Sequence, residues 1–346
     1  MQGLVVQPGV AGSARVTEVP EVEAGANEVL LRILEVGVCG TDREISHGIF
    51  GHAPAGETAL VLGHEMLAAV ERDGHGFTRG DRVTATVRRS CRSCIACEQG
   101  EPDSCLTGDY RERGITRLNG FARELVAEDP EQLVPVPRSL GRLGVLAEPA
   151  SVCARAIRHA RAIGNRQPWQ LRRVLVIGAG AVGMLATFLL RLEGLDVWTV
   201  SLEPSNGLVE AVGGRYVASG TIDLEEFGGF DLVLECAGDA QTMADTLGLL
   251  RRSGVACLLG IDPRVQQVTL DGPTLGLDAV LENRVLFGSV NAQRQDWLTA
   301  VDGLARAHER WPEELAQLVD LRVPLDRFAD AFDHHGGKAT LVLSGD

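Results

Sequence analysis

The chain has almost no lysine: among 33 basic residues only Lys338 is one, and the rest are arginines. Chemistry that needs a lysine amine is nearly excluded. Tyrosine is nearly as scarce, at two residues. Tyr110 and Tyr216 are followed four residues on by Gly114 and Gly220, so the tyrosine–lysine proton-transfer pair of one large class of dehydrogenases is absent. Positive charge is short overall, with 47 acids against 33 bases and a net charge of −14. A nucleic-acid backbone or an anionic membrane surface would be repelled on average. Aromatic residues make up 4%, few for a protein that stacks bases. The first arginine is Arg15, so no basic segment heads a secretory signal and a cytoplasmic location is expected. The longest uncharged stretch, Val174 to Leu190, is broken by three glycines and falls short of the roughly 20 apolar residues of a membrane span.

What remains is ample for a globular protein. At 346 residues and 45% hydrophobic content, the chain has material for two domains with substantial cores. Up to about residue 140 the pattern is of short β runs: Gly3 to Gln7, Glu28 to Val36, Leu67 to Arg72, Arg82 to Val87 and Phe121 to Ala127, divided by Gly, Pro and Asp. They predict a compact, barrel-like β domain. From Arg172 apolar strands alternate with helices: Val174 to Ile177, a helix to Arg191, Asp196 to Val200, a helix to Val212, Asp231 to Glu235, a helix to Arg251, then Val255 to Leu259 and Val285 to Gly288. Continuous apolar strands separated by helices predict a doubly wound parallel sheet, and so an α/β chain. A helix from Gln295 to Glu309 and a strand from Thr340 to Leu343 are expected in the tail.

Gly178-Ala179-Gly180-Ala181-Val182-Gly183 directly follows one predicted strand and opens an apolar helix. That context makes it a dinucleotide fingerprint. Gly178 permits the tight turn, Gly180 lets backbone approach a pyrophosphate, and Gly183 allows close helix–strand packing. The next strand ends in Ser201-Leu202-Glu203, with no arginine between Arg191 and Arg215. An acid there holds ribose hydroxyls, whereas arginine would accept a 2′-phosphate; NAD is therefore expected over NADP, unless Glu203 is only a solvated loop charge.

Cys91, Cys94, Cys97 and Cys105 fall within fifteen residues, a spacing that lets one loop wrap a tetrahedral Zn2+ with every position filled. Such a closed site is structural. A second set is dispersed: Cys39, the pair His64-Glu65, and Glu148. By spacing alone it divides evenly between a catalytic metal site and unrelated core residues. Cys153, Cys236 and Cys257 lie in apolar runs and read as packing residues.

Taken together, Gly37-Val38-Cys39-Gly40-Thr41-Asp42, Gly63-His64-Glu65, the four-cysteine loop, Glu148-Pro149 and the Gly178 fingerprint resemble the zinc-dependent medium-chain alcohol dehydrogenases over nearly the whole chain. Cys39 to Ile45, Val87-Arg88-Arg89, Glu112-Arg113-Gly114-Ile115 and Gly288-Ser289-Val290-Asn291 look like the glucose dehydrogenase branch. The resemblance implies a GroES-like catalytic domain over residues 1–170, a Rossmann domain over 171–290, and a return segment, 291–346, that completes the first. It also implies two Zn2+ per chain, the second held by Cys39, His64 and Glu65 or Glu148. Further nicotinamide-cofactor contacts are implied at Val182, Ala237, Ile261 and Val290.

The activity implied is zinc-assisted hydride transfer from a sugar or sugar-like alcohol to NAD(P), an aldose at its anomeric carbon being favoured. Thr41 would take the substrate proton, Asp42 would support the metal ligands, and Glu112 and Asn291 would meet sugar hydroxyls. A polyol, cyclitol, aminosugar or nucleoside-like secondary alcohol is the alternative substrate. A zinc-ribbon regulator that senses NAD is the distant one, disfavoured by the charge and by the purposeless Cys39/His64/Glu65 set. Homodimers or homotetramers are expected. Three departures stand out: Glu44 replaces a relay histidine, Ser201-Leu202-Glu203 replaces an arginine, and Val87 stands where some relatives place asparagine.

Overall fold

The computed structural model describes residues 1–220, 229–264 and 266–345. The chain packs into two compact units, one of Met1–Ser151, Asn291–Ala305 and Ala316–Asp346, the other of Val152–Val290 and Arg306–Leu315.

The first unit is organised around the strand Val29–Val38, whose Val/Leu/Ile-rich sequence is buried along nearly its whole length. It is the middle of a seven-stranded sheet. Glu65–Val70 pairs with it antiparallel on one side and the tail strand Ala339–Val342 on the other, setting Gly37 opposite both Glu65 and Thr340. Residues more than 270 positions apart thus meet across a single glycine. Leu31, Ile33, Met66 and Phe121 pack one apolar cluster of this unit, and Leu4, Ile45, Leu60 and Leu62 another.

The second unit holds six parallel strands in the order Arg215–Ala218, Asp196–Ser201, Arg173–Ile177, Phe230–Glu235, Leu250–Leu258, Val285–Gly288. The strand order reverses beside Arg173–Ile177, and in open sheets of this kind ligands bind beyond the strand ends at that switch point. The helix Ala181–Leu192 buries Met184, Leu185, Phe188 and Leu189, while Leu175, Trp198, Phe230 and Val233 fill the core of the sheet. The helix expected to run to Arg251 is instead the short Ala240–Asp245, capped by Asp239. Leu250 is drawn into the sheet opposite Phe230 and almost fully buried, so tertiary burial overrides helical periodicity there. Among the described residues, no helix is long and apolar enough to cross a membrane.

Candidate active site and metal centres

Cys39 is the N-cap of the helix Gly40–Ser46 and Asp42 lies in its first turn. One carboxylate oxygen of Asp42 accepts from the Cys39 N–H at 3.0 Å, and the other lies 3.5 Å from His64 Nδ1. A single acid therefore fixes the backbone of Cys39 and faces the ring of His64, as outer residues do around metals. The far ring nitrogen, Nε2, lies 3.2 Å from Cys39 Sγ. Cys39, His64 and Glu65 present ligand atoms within 4.8 Å of one another.

This donor set fits a metal ion. The Glu65 atom Oε2 is buried without a hydrogen-bond partner, and a thiol, an imidazole and a carboxylate are zinc donors. Burial disfavours charge on His64, but Cys39 and Asp42 more than offset it and hold the imidazole proton well above the ordinary range. Burial also raises the Cys39 thiol, with His64 opposing. A cation in the cluster would favour the opposite proton states on both groups. Glu148, in the first turn of the helix Ala147–Gly164, lies outside the 4.8 Å group yet within its field. Burial pushes its carboxyl up to about 7; His64 and Lys338 oppose the shift, and Glu65 and Asp42 add to it.

Lys338 is the residue that reading the sequence for function overlooks. It is 4% exposed, and its ammonium donates to Glu65 Oε1 at 2.7 Å and to the Val38 carbonyl at 3.3 Å. Glycine at 37 leaves the Glu65 carboxylate room to lie across the strand. The available signal was rarity: a chain that uses arginine almost everywhere keeps one lysine. Thr41 is half-buried with no hydrogen-bond partner among the described residues, so its hydroxyl remains open to another group. Glu44 is half-buried, and burial raises its carboxyl.

The four thiols of Cys91, Cys94, Cys97 and Cys105 also lie within 4.8 Å of one another, Cys94 and Cys97 being 3.4 Å apart. Hydrogen bonds from Thr107 and Ser93 pull the Cys91 thiol down to about 5 and Thr107 lowers Cys105, both toward the thiolate that zinc requires, whereas Cys97 is raised, Ser90 being outweighed by burial and the neighbouring thiols. A closed, all-sulfur loop fits a structural ion.

In the same unit Glu112 Oε1 receives Arg88 Nε at 2.9 Å and Asn291 Nδ2 at 3.1 Å. The structure thus brings together two residues 179 positions apart. Val87 is 3% exposed and apolar.

In the parallel-sheet unit Gly178 has φ +98°, and a Cβ there would lie 3.0 Å from the Ala237 nitrogen. A Cβ on Gly183 would strike the Gly178 carbonyl, whereas the space over Gly180 is open, a cradle fitted to a pyrophosphate. Ala237 N–H donates to buried Glu235 at 2.7 Å, and Gly238 leaves no slack against the Ile261 carbonyl, 2.8 Å from where its Cβ would be. Ile261 and Val290 are exposed, at 61% and 59%. The Ser201 hydroxyl donates to the Glu203 carboxylate, and Tyr216 donates to the Glu203 carbonyl at 2.6 Å. Ser201 first, with backbone help, holds the Glu203 carboxyl below its usual range.

A parallel-sheet unit with this glycine turn, and a β unit with one closed and one open metal cluster, define a zinc-type, nucleotide-dependent dehydrogenase. Residues 25–138 match the alcohol dehydrogenase GroES-like domain, and residues 141–344 match the glucose dehydrogenase C-terminus. The glucose 1-dehydrogenase of Methanocella arvoryzae is 39% identical over 338 residues, covering 94% of each chain. Glucose 1-dehydrogenase 1 of Caldivirga maquilingensis is 39% identical over 99% of each. Glucose dehydrogenase of Haloferax mediterranei, solved with NADP, Zn and gluconolactone, superposes with a TM-score of 0.90 at 30% identity over 100% of both chains. The chain belongs to the zinc-dependent medium-chain alcohol dehydrogenase family, in its glucose dehydrogenase branch.

Proposed function

We propose that the protein oxidises an aldose at its anomeric carbon, giving the lactone and reduced NAD. The observation that carries this reading is the Cys39–His64–Glu65 cluster, with His64 and Glu65 buried and Cys39 half-buried, in a unit that also holds the joined pair Glu112 and Asn291. Zinc, when bound by Cys39, His64 and Glu65 or Glu148, supplies Lewis acidity toward the substrate hydroxyl. Asp42 keeps Cys39 and the His64 ring in place. Thr41, with its uncommitted hydroxyl, takes the proton of the anomeric hydroxyl and passes it to solvent, while the hydride on that carbon goes to the nicotinamide. Glu112 and Asn291 replace water on the ring hydroxyls.

The cofactor turn Gly178, Gly180, Val182 and Gly183 takes the pyrophosphate, Glu203 with Ser201 takes the adenosine ribose hydroxyls, and Ala237, Ile261 and Val290 line the nicotinamide end. The absence of arginine between Arg191 and Arg215 supports NAD over NADP, although the Haloferax protein was solved with NADP. A second reading, oxidation of a polyol, cyclitol, aminosugar or nucleoside-like secondary alcohol, is favoured by one observation: buried, apolar Val87 offers a hydroxyl-rich ring nothing to bond. We also propose a homodimer, since Val285–Gly288 is the edge strand of its sheet and Leu277, Val280 and Leu281 just before it are exposed. A strand edge is complementary to its own copy across a two-fold axis. A reducing cytoplasm suits eight free cysteines. The decisive experiment is NAD reduction by zinc-loaded protein with a panel of aldoses, polyols and cyclitols. Turnover of glucose-type aldoses is expected; inert aldoses beside an active secondary alcohol would replace this reading with the second.

A further inference from the structure

Arg88 lies on the short strand Arg88–Arg89, directly across from Glu112 in the register with Arg111–Arg113. Both side chains are mostly buried, at 10% and 13% exposure. Two guanidinium nitrogens, Nε and Nη2, reach the same carboxylate oxygen, each at 2.9 Å, and Asn291 Nδ2 makes a third contact to it at 3.1 Å. Oε1 is saturated. Oε2 has no partner among the described residues, so Glu112 presents one free acceptor of fixed direction.

What fixes Arg88 is the four-cysteine loop. Its remaining terminal nitrogen, Nη1, donates to the carbonyl of Asp103, two residues before Cys105. Its guanidinium carbon, Cζ, lies over the Tyr110 ring, 4.0 Å from the ring centre, five residues after that cysteine. A planar fork of donors is a property of a guanidinium that an ammonium lacks. Loop, arginine and acid therefore form one chain of contacts within a single unit.

We propose that Arg88 is a positioning residue for the substrate. Anchored on the four-cysteine loop, it orients Glu112 so that Oε2 meets a sugar hydroxyl, and the order of that loop thereby sets sugar affinity. The inference rests on the reading of Glu112 as a sugar partner.

The test uses zinc-loaded Arg88→Met, Arg88→Lys and Tyr110→Leu, with KM for glucose and for NAD, kcat, and calorimetric Kd for gluconolactone. Losing a charge-assisted positioning contact raises glucose KM and lactone Kd about 10- to 100-fold in Arg88→Met. NAD KM and zinc content stay unchanged. Arg88→Lys recovers only part of the loss, and Tyr110→Leu raises glucose KM about 3-fold by removing the stack alone. Should Arg88→Met fail to fold, Tyr110→Leu decides: an unchanged lactone Kd overturns the proposal. Glucose KM and lactone Kd within twofold of the parent in Arg88→Met, or equal losses in NAD KM, overturn it while the glucose reading stands. A parent enzyme that neither oxidises glucose nor binds the lactone overturns that reading and this inference with it.

Discussion

Replacing Lys338 with methionine isolates one buried charge pair. The ammonium is 2.7 Å from Glu65 Oε1, and the side chains are 4% and 2% exposed. Methionine fills similar volume but leaves the carboxylate buried without its cation. Removing one partner of a buried pair costs roughly 3–5 kcal/mol, chiefly the desolvation of the charge left behind. In a unit of about 200 residues each kcal/mol moves Tm by roughly 2–4 °C, so the chelated protein should melt roughly 6–20 °C lower. Zinc, held by Cys39, His64 and Glu65, would supply a replacement countercharge, and the deficit should shrink in the zinc-loaded form. Adding Glu65→Gln to Lys338→Met removes both charges and should restore most of the loss, giving a coupling of at least about 3 kcal/mol in the double-mutant cycle. Differential scanning calorimetry of the four proteins, with and without chelator, measures this. A chelated Tm within about 1 °C of the parent, or strictly additive losses, would refute the reasoning.

Metal analysis should return two zinc ions per chain, and a mild chelator should strip activity before it unfolds the protein. One zinc, held by the loop from Cys91 to Cys105, would remove the catalytic centre from the account. Glu203→Arg should shift the kcat/KM ratio toward NADP by at least about tenfold, because the acid facing a 2′-phosphate becomes a partner for it; parent enzyme that already prefers NADP contradicts the assignment. Glu148 gives a pH signature in chelated protein. Its folded carboxyl stands at about 7, above the value of 4.5 for an unstrained chain, so the folded state keeps a proton that the unfolded state gives up. Its contribution to stability is therefore full below about pH 4.5 and is lost as pH rises through about 7, by roughly 2–4 kcal/mol. Glu148→Gln should flatten that decline in urea titrations at successive pH values, and an unchanged slope would count against it.

The dinucleotide turn and the four-cysteine loop were legible because each is a local device. Gly178 must tolerate a φ of +98°, and four thiols within fifteen residues need only one loop to meet. The set of Cys39, His64, Glu65 and Glu148 was half legible: residue types suggested a metal, but spacing could not choose among unrelated core roles. The strand from Leu250 was misread as helix because its burial against Phe230 is not a property of the segment itself.

Composition disfavoured nucleic acid, and local spacing suggested where a pyrophosphate and a closed zinc can sit. The tertiary structure decided which distant side chains meet a carboxylate: Lys338 that of Glu65 across 273 residues, Asn291 that of Glu112 across 179. The physical reason is that local conformation depends on neighbouring residues, whereas burial and pairing depend on strand register. Gly37 facing both Glu65 and Thr340 in one sheet is a fact of that register, and the partnership of the chain's single lysine follows from it.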